Sequence, residues 1–260
     1  MTGDERRAAL EQIATEVRAC TACRLADGRT RAVPGEGDPD TEVVFVGEGP
    51  GFNEDREGRP FVGRAGGLLV RLLASLGWSR EDVFITNVVK CRPPDNRDPE
   101  PDEIAACSRF LRRQLEVLDP AVVVTLGRYS MGAFMPGARI GQVHGTTRPA
   151  DPASGARDAL VFAMYHPAAA LRTPSLERES FEDMARVPSV LQRSRERRSG
   201  VAGGAGAGTL QGQAPMTGGA ASSPPSTVPA PDAAPAVAST PTPPAESPAS
   251  ADDASQLTLF

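Results

Sequence analysis

The sequence contains few residues of several kinds, with one lysine, one tryptophan and two histidines among 260 residues. Since Lys90 is the only lysine, no other side chain can form a Schiff base with a substrate. No run of eighteen apolar residues exists, so no segment is predicted to span a membrane. The first residues, MTGDERR, are polar and lack the apolar core of a signal peptide. We therefore expect a cytoplasmic protein in a reducing compartment.

Basic residues are absent after Arg198, and this marks a change in composition. Residues 199–255 are almost entirely Gly, Ala, Pro, Ser and Thr, a composition that buries too little apolar surface to offset its ordering entropy. We predict one folded domain over 1–195, a disordered tail over 196–255 and a separate apolar peptide at 256–260. Four acidic residues lie in the tail, so the domain is nearly neutral and its net charge does not decide whether it binds nucleic acid.

Four cysteines are present, and they are spaced unevenly. Cys20 and Cys23 form a CxxC pair, whereas Cys91 and Cys107 follow far downstream. Four thiolates are a complete ligand set for one iron–sulfur cluster or one zinc ion. The alternative is two unrelated pairs of thiols. We favour a single metal site because it uses all four cysteines and leaves none over.

Four apolar runs rich in β-branched residues alternate with helical patterns. The runs cover residues 42–46, 83–89, 121–126 and 160–165, and the helical patterns cover 5–19, 65–77, 101–118 and 129–134. Alternating strands and helices indicate a parallel sheet, and nearly continuous apolar runs indicate that helices cover both of its faces. We predict an α/β fold, a three-layer α/β/α sandwich with a central four-stranded parallel sheet.

Polar residues follow three of the predicted strands. Glu48 lies in the glycine-rich loop after the first strand, Asn87 at the end of the second, and His166 after the fourth. In an open α/β sheet, ligands bind outside the carboxyl ends of the strands. The topology therefore predicts that these three side chains converge on one pocket.

Four segments together resemble the family 4 uracil-DNA glycosylases, the iron–sulfur-containing branch of their superfamily. The segments are GEGPG at 47–51, GRPFVG at 58–63, TNVVKCRPP at 86–94 and HPA at 166–168. The resemblance spans about residues 15–185. It implies a monomer that hydrolyses the N-glycosidic bond of uracil in single- or double-stranded DNA and so initiates base excision repair. It also implies that the four cysteines hold a structural 4Fe-4S cluster, with zinc as the alternative.

The resemblance assigns roles around a base that is rotated out of the DNA stack. Phe61 would stack on the uracil, Gly49 would line its pocket, and Asn87 would read the N3–H and O4 groups of its edge. Cytosine presents the reversed hydrogen-bond pattern, so the same amide would reject it. His166 would donate to O2 as negative charge develops there.

The carboxylate that activates water is left open by the sequence. The candidates are Glu48, Glu54 and Asp55. Glu48 is expected to orient uracil or water, whereas Glu54 would either activate water or fill the space beside uracil C5 and exclude thymine. Glu54 is slightly preferred as the catalytic carboxylate.

Residues after His166 are expected to contact the DNA. Leu171 would enter the gap that the rotated base leaves, and Arg172 would hold a phosphate. The other histidine, His144, is predicted to be a surface residue without a catalytic role.

Three other interpretations of the chain remain. It could be a DNA-binding iron–sulfur recruitment module without activity, or a glycosylase with broader specificity for deaminated bases. A relative that traps DNA covalently is disfavoured because residues 92–106 contain no histidine.

The final segment resembles the short motif by which bacterial repair proteins bind the replicative sliding clamp. Its predicted partner-binding residues are Gln256, Leu257, Leu259 and Phe260.

Overall fold

The apolar runs of the sequence form the strands of one sheet in the computed structural model, which describes residues 1–204. Within these residues the strands are β1 (Glu36–Gly37), β2 (Val43–Gly47), β3 (Phe84–Asn87), β4 (Val122–Leu126), β5 (Thr147–Pro149) and β6 (Leu160–Met164). They lie in the order β1-β3-β2-β4-β6-β5. The four central strands are parallel, whereas β1 and β5 pair antiparallel at the two edges. The predicted parallel sheet is confirmed as the centre of a wider, mixed sheet.

Helices separate the strands as the sequence pattern predicts. They are α1 (Gly3–Ala19), α2 (Leu25–Gly28), α3 (Phe52–Glu57), α4 (Arg64–Ala74), α5 (Pro101–Leu118), α6 (Arg128–Phe134), α7 (Ile140–Val143), α8 (Pro167–Ala170), α9 (Pro174–Met184) and α10 (Val187–Gly204). None of those in the described range is long and apolar enough to cross a membrane.

Strand β2 shows how the three layers are built. Every residue of this strand is buried. Val44 and Val46 belong to an apolar cluster with residues of α1 and α5, whereas Val43 and Phe45 belong to a second cluster with residues of α4 and α10. Since successive side chains of a strand point to opposite faces, helices cover both sides of the sheet. The predicted α/β/α sandwich is therefore confirmed.

Helices α1 and α5 pack against each other and position the cysteines. Helix α1 begins at a capping box in which Thr2 and Glu5 satisfy each other's backbone N–H groups, and it ends at Cys20. Helix α5 begins with Pro101, a residue suited to the first helical position, and it carries Cys107 on its buried side. The packing thus brings two distant cysteines to the same side of the sheet.

Helix α10 continues past the predicted domain boundary at residue 195, to Gly204. The hydrogen bonds that attach this helix to the rest of the domain come from residues on both sides of that boundary. Ser194 Oγ donates a hydrogen bond to the carbonyl of Ala121 at 2.6 Å, and Arg198 Nη2 donates to the carbonyl of Pro120 at 2.8 Å. These contacts attach the helix to the loop before β4, which the composition of the segment does not reveal. The rest of the predicted tail and the peptide at 256–260 lie outside the described residues.

Candidate active site

A cleft of about 650 Å³ lies at the carboxyl ends of the parallel strands. Its volume is in the range of sites that bind small molecules. Most of the predicted site residues line it together, namely Glu48, Gly49, Glu54, Phe61, Asn87, His166 and Arg172. The strand ends therefore meet as the topology predicts.

Asn87 is buried at the base of this cleft and is 1% exposed. Its side-chain oxygen Oδ1 receives no hydrogen bond from any residue of the described range. An unsatisfied buried acceptor costs about 1–3 kcal/mol. The site therefore favours a ligand that brings an N–H donor to this oxygen.

Glycine at the end of β2 allows Asn87 and Phe61 to lie close to each other. A Cβ atom on Gly47 would lie 2.3 Å from Asn87 Oδ1 and 2.6 Å from Phe61 Cζ. Both distances are shorter than a real Cβ contact. The amide and the aromatic ring can therefore lie together only because residue 47 has no side chain.

Phe61 is held in a loop whose backbone is strained. Its φ angle is +52°, in the left-handed region that costs a non-glycine residue about 1 kcal/mol or more. Arg80 donates hydrogen bonds to the carbonyls of Phe61 at 2.8 Å and Pro60 at 2.5 Å, and these contacts hold the loop. The ring is 6% exposed, so it belongs to the core on one side and lines the cleft on the other.

Glu54 supports the same loop from the side of α3. Its Oε1 atom accepts hydrogen bonds from the backbone N–H groups of Val62 and Gly63, both at 2.9 Å. Its other oxygen, Oε2, receives none within residues 1–204 and lies close to Gly51. The carboxylate therefore has a structural task that the sequence did not reveal.

His166 presents a neutral imidazole to the cleft. Burial is the main cause that lowers its pKa to about 4; the charge of Glu54 opposes this effect, and the charge of Arg172 adds to it. The Nδ1 atom accepts a hydrogen bond from the backbone N–H of Ala168 at 3.1 Å. In the neutral ring the proton therefore lies on Nε2, which makes this atom a hydrogen-bond donor. The ring centroid is 5.8 Å from that of Phe61.

Glu48 lines the cleft, where two neighbouring charges shift its pKa in opposite directions. Burial and then the like charge of Asp98 raise its pKa, whereas the charge of Arg128 lowers it. Asp98 and Arg128 pair with each other and both line the cleft, although neither was predicted as a site residue. The sequence feature that could have predicted Arg128 as a site residue is its position immediately after β4 and Gly127.

The two predicted DNA contacts differ in their surroundings. Arg172 is exposed and lines the cleft, as a phosphate-binding residue would. Leu171 is partly buried and packs against an apolar core cluster instead of lining the cleft. Its predicted role as a wedge is therefore not favoured, because the side chain is already occupied by packing.

His144 is not the isolated surface histidine that the sequence suggested. Its Nδ1 atom lies 2.9 Å from Oδ2 of Asp183, whose side chain is 3% exposed. Its ring centroid lies 4.5 Å from that of Tyr165, which lines the cleft, and the two ring planes are tilted by 34°. His144 therefore lies behind the cleft wall. The sequence did not predict the contact between His144 and Asp183 because the two residues are 39 positions apart along the chain.

All four cysteines line one small pocket between the end of α1, the start of α2, the segment after β3 and helix α5. They are Cys20, Cys23, Cys91 and Cys107. Their shared pocket agrees with the prediction that they act together. No set of three or more Cys, His, Asp or Glu side chains surrounds a single ion position in the part of the chain that the structure describes.

Nitrogen donors surround the sulfur atoms of this pocket. The contacts are Arg29 Nη1 to Cys91 Sγ at 3.2 Å, Lys90 N to Cys107 Sγ at 3.3 Å and Arg109 Nη2 to Cys20 Sγ at 3.4 Å. Burial raises the pKa of Cys107 to about 11 and also raises that of Cys91. At neutral pH these groups would be thiolates only when bound to a metal, which displaces the proton.

Lys90 is buried between the cysteine pocket and the cleft. Its ammonium group donates to Thr86 Oγ1 at 2.6 Å, to Gln114 Oε1 at 2.7 Å and to the carbonyl of Asn87 at 2.8 Å. Burial lowers its pKa to about 7. All three donors of the ammonium are thus used, and the side chain does not line the cleft.

Comparison with known proteins places these residues in a family. The uracil DNA glycosylase superfamily matches residues 34–187, a range that contains every predicted catalytic and substrate-binding residue of the cleft. The chain is 48% identical over 184 residues to the type-4 uracil-DNA glycosylase of Sulfurisphaera tokodaii, covering 68% of this chain and 83% of the relative. It is 51% identical over 188 residues to that of Saccharolobus solfataricus, covering 70% and 86%. It is 46% identical over 186 residues to that of Thermotoga maritima, covering 71% and 95%.

The two histidines of the chain provide a direct test of the state of His166. In protein labelled with ¹⁵N-histidine, we expect the His166 ring to stay neutral as the pH falls from 8 to about 5, because burial lowers its pKa to about 4. Its proton should lie on Nε2. Between the folded-state pKa of about 4 and the ordinary value of about 6.5, the unfolded chain binds more protons than the folded one. This residue therefore lowers the free energy of unfolding as the pH falls through that window.

The measurement is a nuclear magnetic resonance titration of the ring nitrogens, with His144→Gln as the variant that identifies the second signal. A His166 midpoint close to the ordinary value of about 6.5, or a proton on Nδ1, would contradict the assignment.

Proposed function

This chain belongs to the uracil DNA glycosylase superfamily and, within it, to the type-4 enzymes, and we propose on this basis that it excises uracil from DNA by hydrolysing the N-glycosidic bond. The reaction would initiate base excision repair. The observation that carries the proposal is the buried, unpaired Oδ1 atom of Asn87 in the cleft at the strand ends. An enzyme that recognises a base by its hydrogen-bonding edge needs such an unsatisfied group in its free state.

Selection of uracil would follow from the amide of Asn87. Uracil offers an N3–H donor beside the O4 acceptor, so Oδ1 can accept from N3 while Nδ2 donates to O4. Cytosine has an acceptor at N3 and a donor at N4, which would leave both amide groups unpaired. A mismatch of this kind in a buried site lowers reactivity by about 10⁴-fold or more. Phe61 would stack on the base, and Gly49 would leave room for it.

Departure of the base would be assisted by His166. Cleavage of the glycosidic bond leaves negative charge on uracil, largely on O2. The neutral imidazole would meet this charge with its Nε2–H donor, which the contact between Nδ1 and Ala168 holds in place. A single donor of this type contributes about 10²–10³ in rate. The ring needs no extra proton to act, so its low pKa does not impair it.

The structure changes which carboxylate we prefer as the activator of water. Glu54 already binds two backbone N–H groups of the Phe61 loop through Oε1, so we assign it chiefly to the support of that loop. Glu48 lines the cleft, and burial raises its pKa, as suits a general base. We therefore propose Glu48 as the activator of the attacking water and keep Glu54, through its free Oε2, as the second candidate.

The cysteine pocket would hold a 4Fe-4S cluster. Its support is the shared pocket of the four thiols and the nitrogen donors around them, since hydrogen bonds to sulfur stabilise the negative charge of such clusters. Zinc fits less well, because it needs four thiolates at about 2.3 Å from one ion, and no three of these side chains surround a single ion position within the described residues. The cluster would be structural. It would tie α1 to α5 and to the segment that follows β3, without taking part in bond cleavage.

The proposed partners are uracil-containing DNA and, through the segment at 256–260, a replicative sliding clamp. The clamp proposal rests on the motif alone: Gln256 would anchor the peptide by its amide, and Leu257, Leu259 and Phe260 would fill an apolar pocket. A monomer and a cytoplasmic location stay predictions. An inactive recruitment module is disfavoured because Asn87, Phe61 and His166 share one cleft.

Replacement of His166 tests the proposed chemistry. We expect His166→Ala to lower the single-turnover rate of uracil excision by about 10²–10³ while the Kd for DNA changes little, because the donor meets charge that develops only late in the reaction. The measurement is alkaline strand scission of a uracil-containing oligonucleotide under single-turnover conditions.

His166→Gln is the control, since it keeps an N–H donor and should retain more of the rate. Glu48→Gln in the same assay tests the proposed activator of water. A His166→Ala rate within about threefold of wild type would rule out the donor role, and borohydride trapping of a protein–DNA adduct would contradict hydrolysis by water.

Removal of one cysteine tests the proposed cluster. We expect Cys107→Ser to lose the brown colour and the absorbance near about 400 nm, and to have a lower Tm than wild type because a tie between α5 and α1 is lost. Ser108→Ala, at the exposed neighbouring position, is the matched control and should stay brown. A coloured Cys107→Ser protein, or a colourless wild type with one bound zinc ion, would contradict the proposal.

The clamp proposal is tested with a peptide that ends in residues 256–260. We expect this peptide to bind a purified bacterial sliding clamp with a Kd below about 100 μM, and the variant Leu259→Ala/Phe260→Ala to lose binding because it removes the apolar side chains. Isothermal titration calorimetry measures both. Equal binding by the two peptides would discard the clamp as a partner and leave the excision activity unaffected.

A further inference from the structure

Phe52 is the most exposed aromatic side chain near the cleft. It is 52% exposed, although it directly follows Gly51, which lines the cleft wall. Large exposed apolar side chains are few in the described residues; the others are Met1 and Val70. The position of Phe52 beside the cleft, and not its exposure alone, distinguishes it from a scattered surface residue.

Two guanidinium groups lie against the ring of Phe52. The Cζ atom of Arg56 is 5.5 Å from the ring centroid, and that of Arg92 is 5.2 Å from it. Both distances are within the range of a cation–π interaction. Arg56 comes from the same helix, α3, whereas Arg92 comes from the loop after β3, so two separate segments supply the cations.

Neither guanidinium is neutralised by a neighbouring acid. Many arginines of residues 1–204 form ion pairs with carboxylates, but Arg56 and Arg92 form none there. Arg92 makes a hydrogen bond to the side-chain oxygen of Asn96 at 2.8 Å, which fixes its direction without cancelling its charge. The patch therefore combines an accessible aromatic ring with two uncompensated positive charges.

We propose that Phe52, Arg56 and Arg92 form a platform that binds the nucleotide next to the excised base. The ring of Phe52 would stack on the flanking base, and the arginines would contact its phosphates. Aromatic rings with adjacent cations are the usual means by which proteins hold single-stranded DNA. The occupant is a DNA strand because the cleft beside the platform would take a base from such a strand, and the charge of the patch is complementary to phosphate.

The platform would also supply a stacking surface, which Leu171 was predicted to provide. With Leu171 packed against the core, a base that loses its stacking neighbour needs another surface, and Phe52 provides an aromatic one at the edge of the cleft. The inference rests on the proposed excision of uracil from DNA, since it concerns the same strand.

Binding of the full chain to a labelled single strand tests the platform. The oligonucleotide carries a tetrahydrofuran abasic-site analogue with 2-aminopurine at the adjacent positions, so that no base is cleaved and stacking alters the fluorescence. We expect Phe52→Ala to raise the Kd by about tenfold and to abolish the change in fluorescence. Phe52→Trp should stay within about twofold of wild type, because it keeps an aromatic face.

Val70→Ala is the matched control, since it truncates another exposed apolar side chain, on α4, and should bind as wild type does. Arg56→Gln should reduce the slope of log K against log salt by about 0.7, the contribution of one phosphate contact in a single strand. The Tm of each variant is measured to show that it is folded.

The outcomes separate this inference from the proposed function. If Phe52→Ala is folded and binds within about twofold of wild type, or gives the same fluorescence change, the platform is rejected. Excision of uracil by wild-type protein is measured in parallel. Activity of the wild type with an unaffected Phe52→Ala variant would reject only the platform, whereas an inactive wild type would reject the proposed function itself.

Discussion

The buried ammonium group of Lys90 is the constraint on which both halves of the site depend. A charge in the interior is tolerated only when its hydrogen bonds are complete. Its three acceptors come from strand β3, from helix α5 and from the backbone of Asn87. The backbone N–H of the same lysine contacts Cys107. The backbone of Asn87 and the cysteine pocket are therefore tied together through one residue, and neither can shift without leaving hydrogen-bonding groups of Lys90 unsatisfied.

The opposite wall of the cleft is fixed by different means. The loop of Phe61 is strained, and it is held by Arg80 from one side and by the carboxylate of Glu54 from another. The imidazole of His166 is oriented by a backbone N–H at the start of α8. Backbone contacts thus hold the ring of Phe61 and the imidazole of His166 before any ligand arrives. Such preorganisation allows fixed dipoles to stabilise developing charge without rearrangement.

The sequence predicted the parts of this structure that depend on local pattern. The four central strands and helix α5 follow from apolar periodicity, and the cleft follows from polar residues at strand ends. Strands β1 and β5 are too short to have a pattern, and the continuation of α10 depends on contacts with the loop before β4. Three contacts depend on residues that are distant along the chain: the pairing of His144 with Asp183, the packing of Leu171, and the support of the Phe61 loop by Glu54. No local signal in the sequence records such contacts.

The unpaired oxygen of Asn87 has a consequence for the end of the reaction. Free uracil carries the same N3–H and O4 groups as uracil attached to the sugar, so the amide proposed to select the substrate would not distinguish it from the product. The proposed contact of His166 with O2 would be strongest while the departing base is still an anion. Recognition of this kind would make the released base a competitive inhibitor, and protonation of the anion would be the event that loosens it from the pocket.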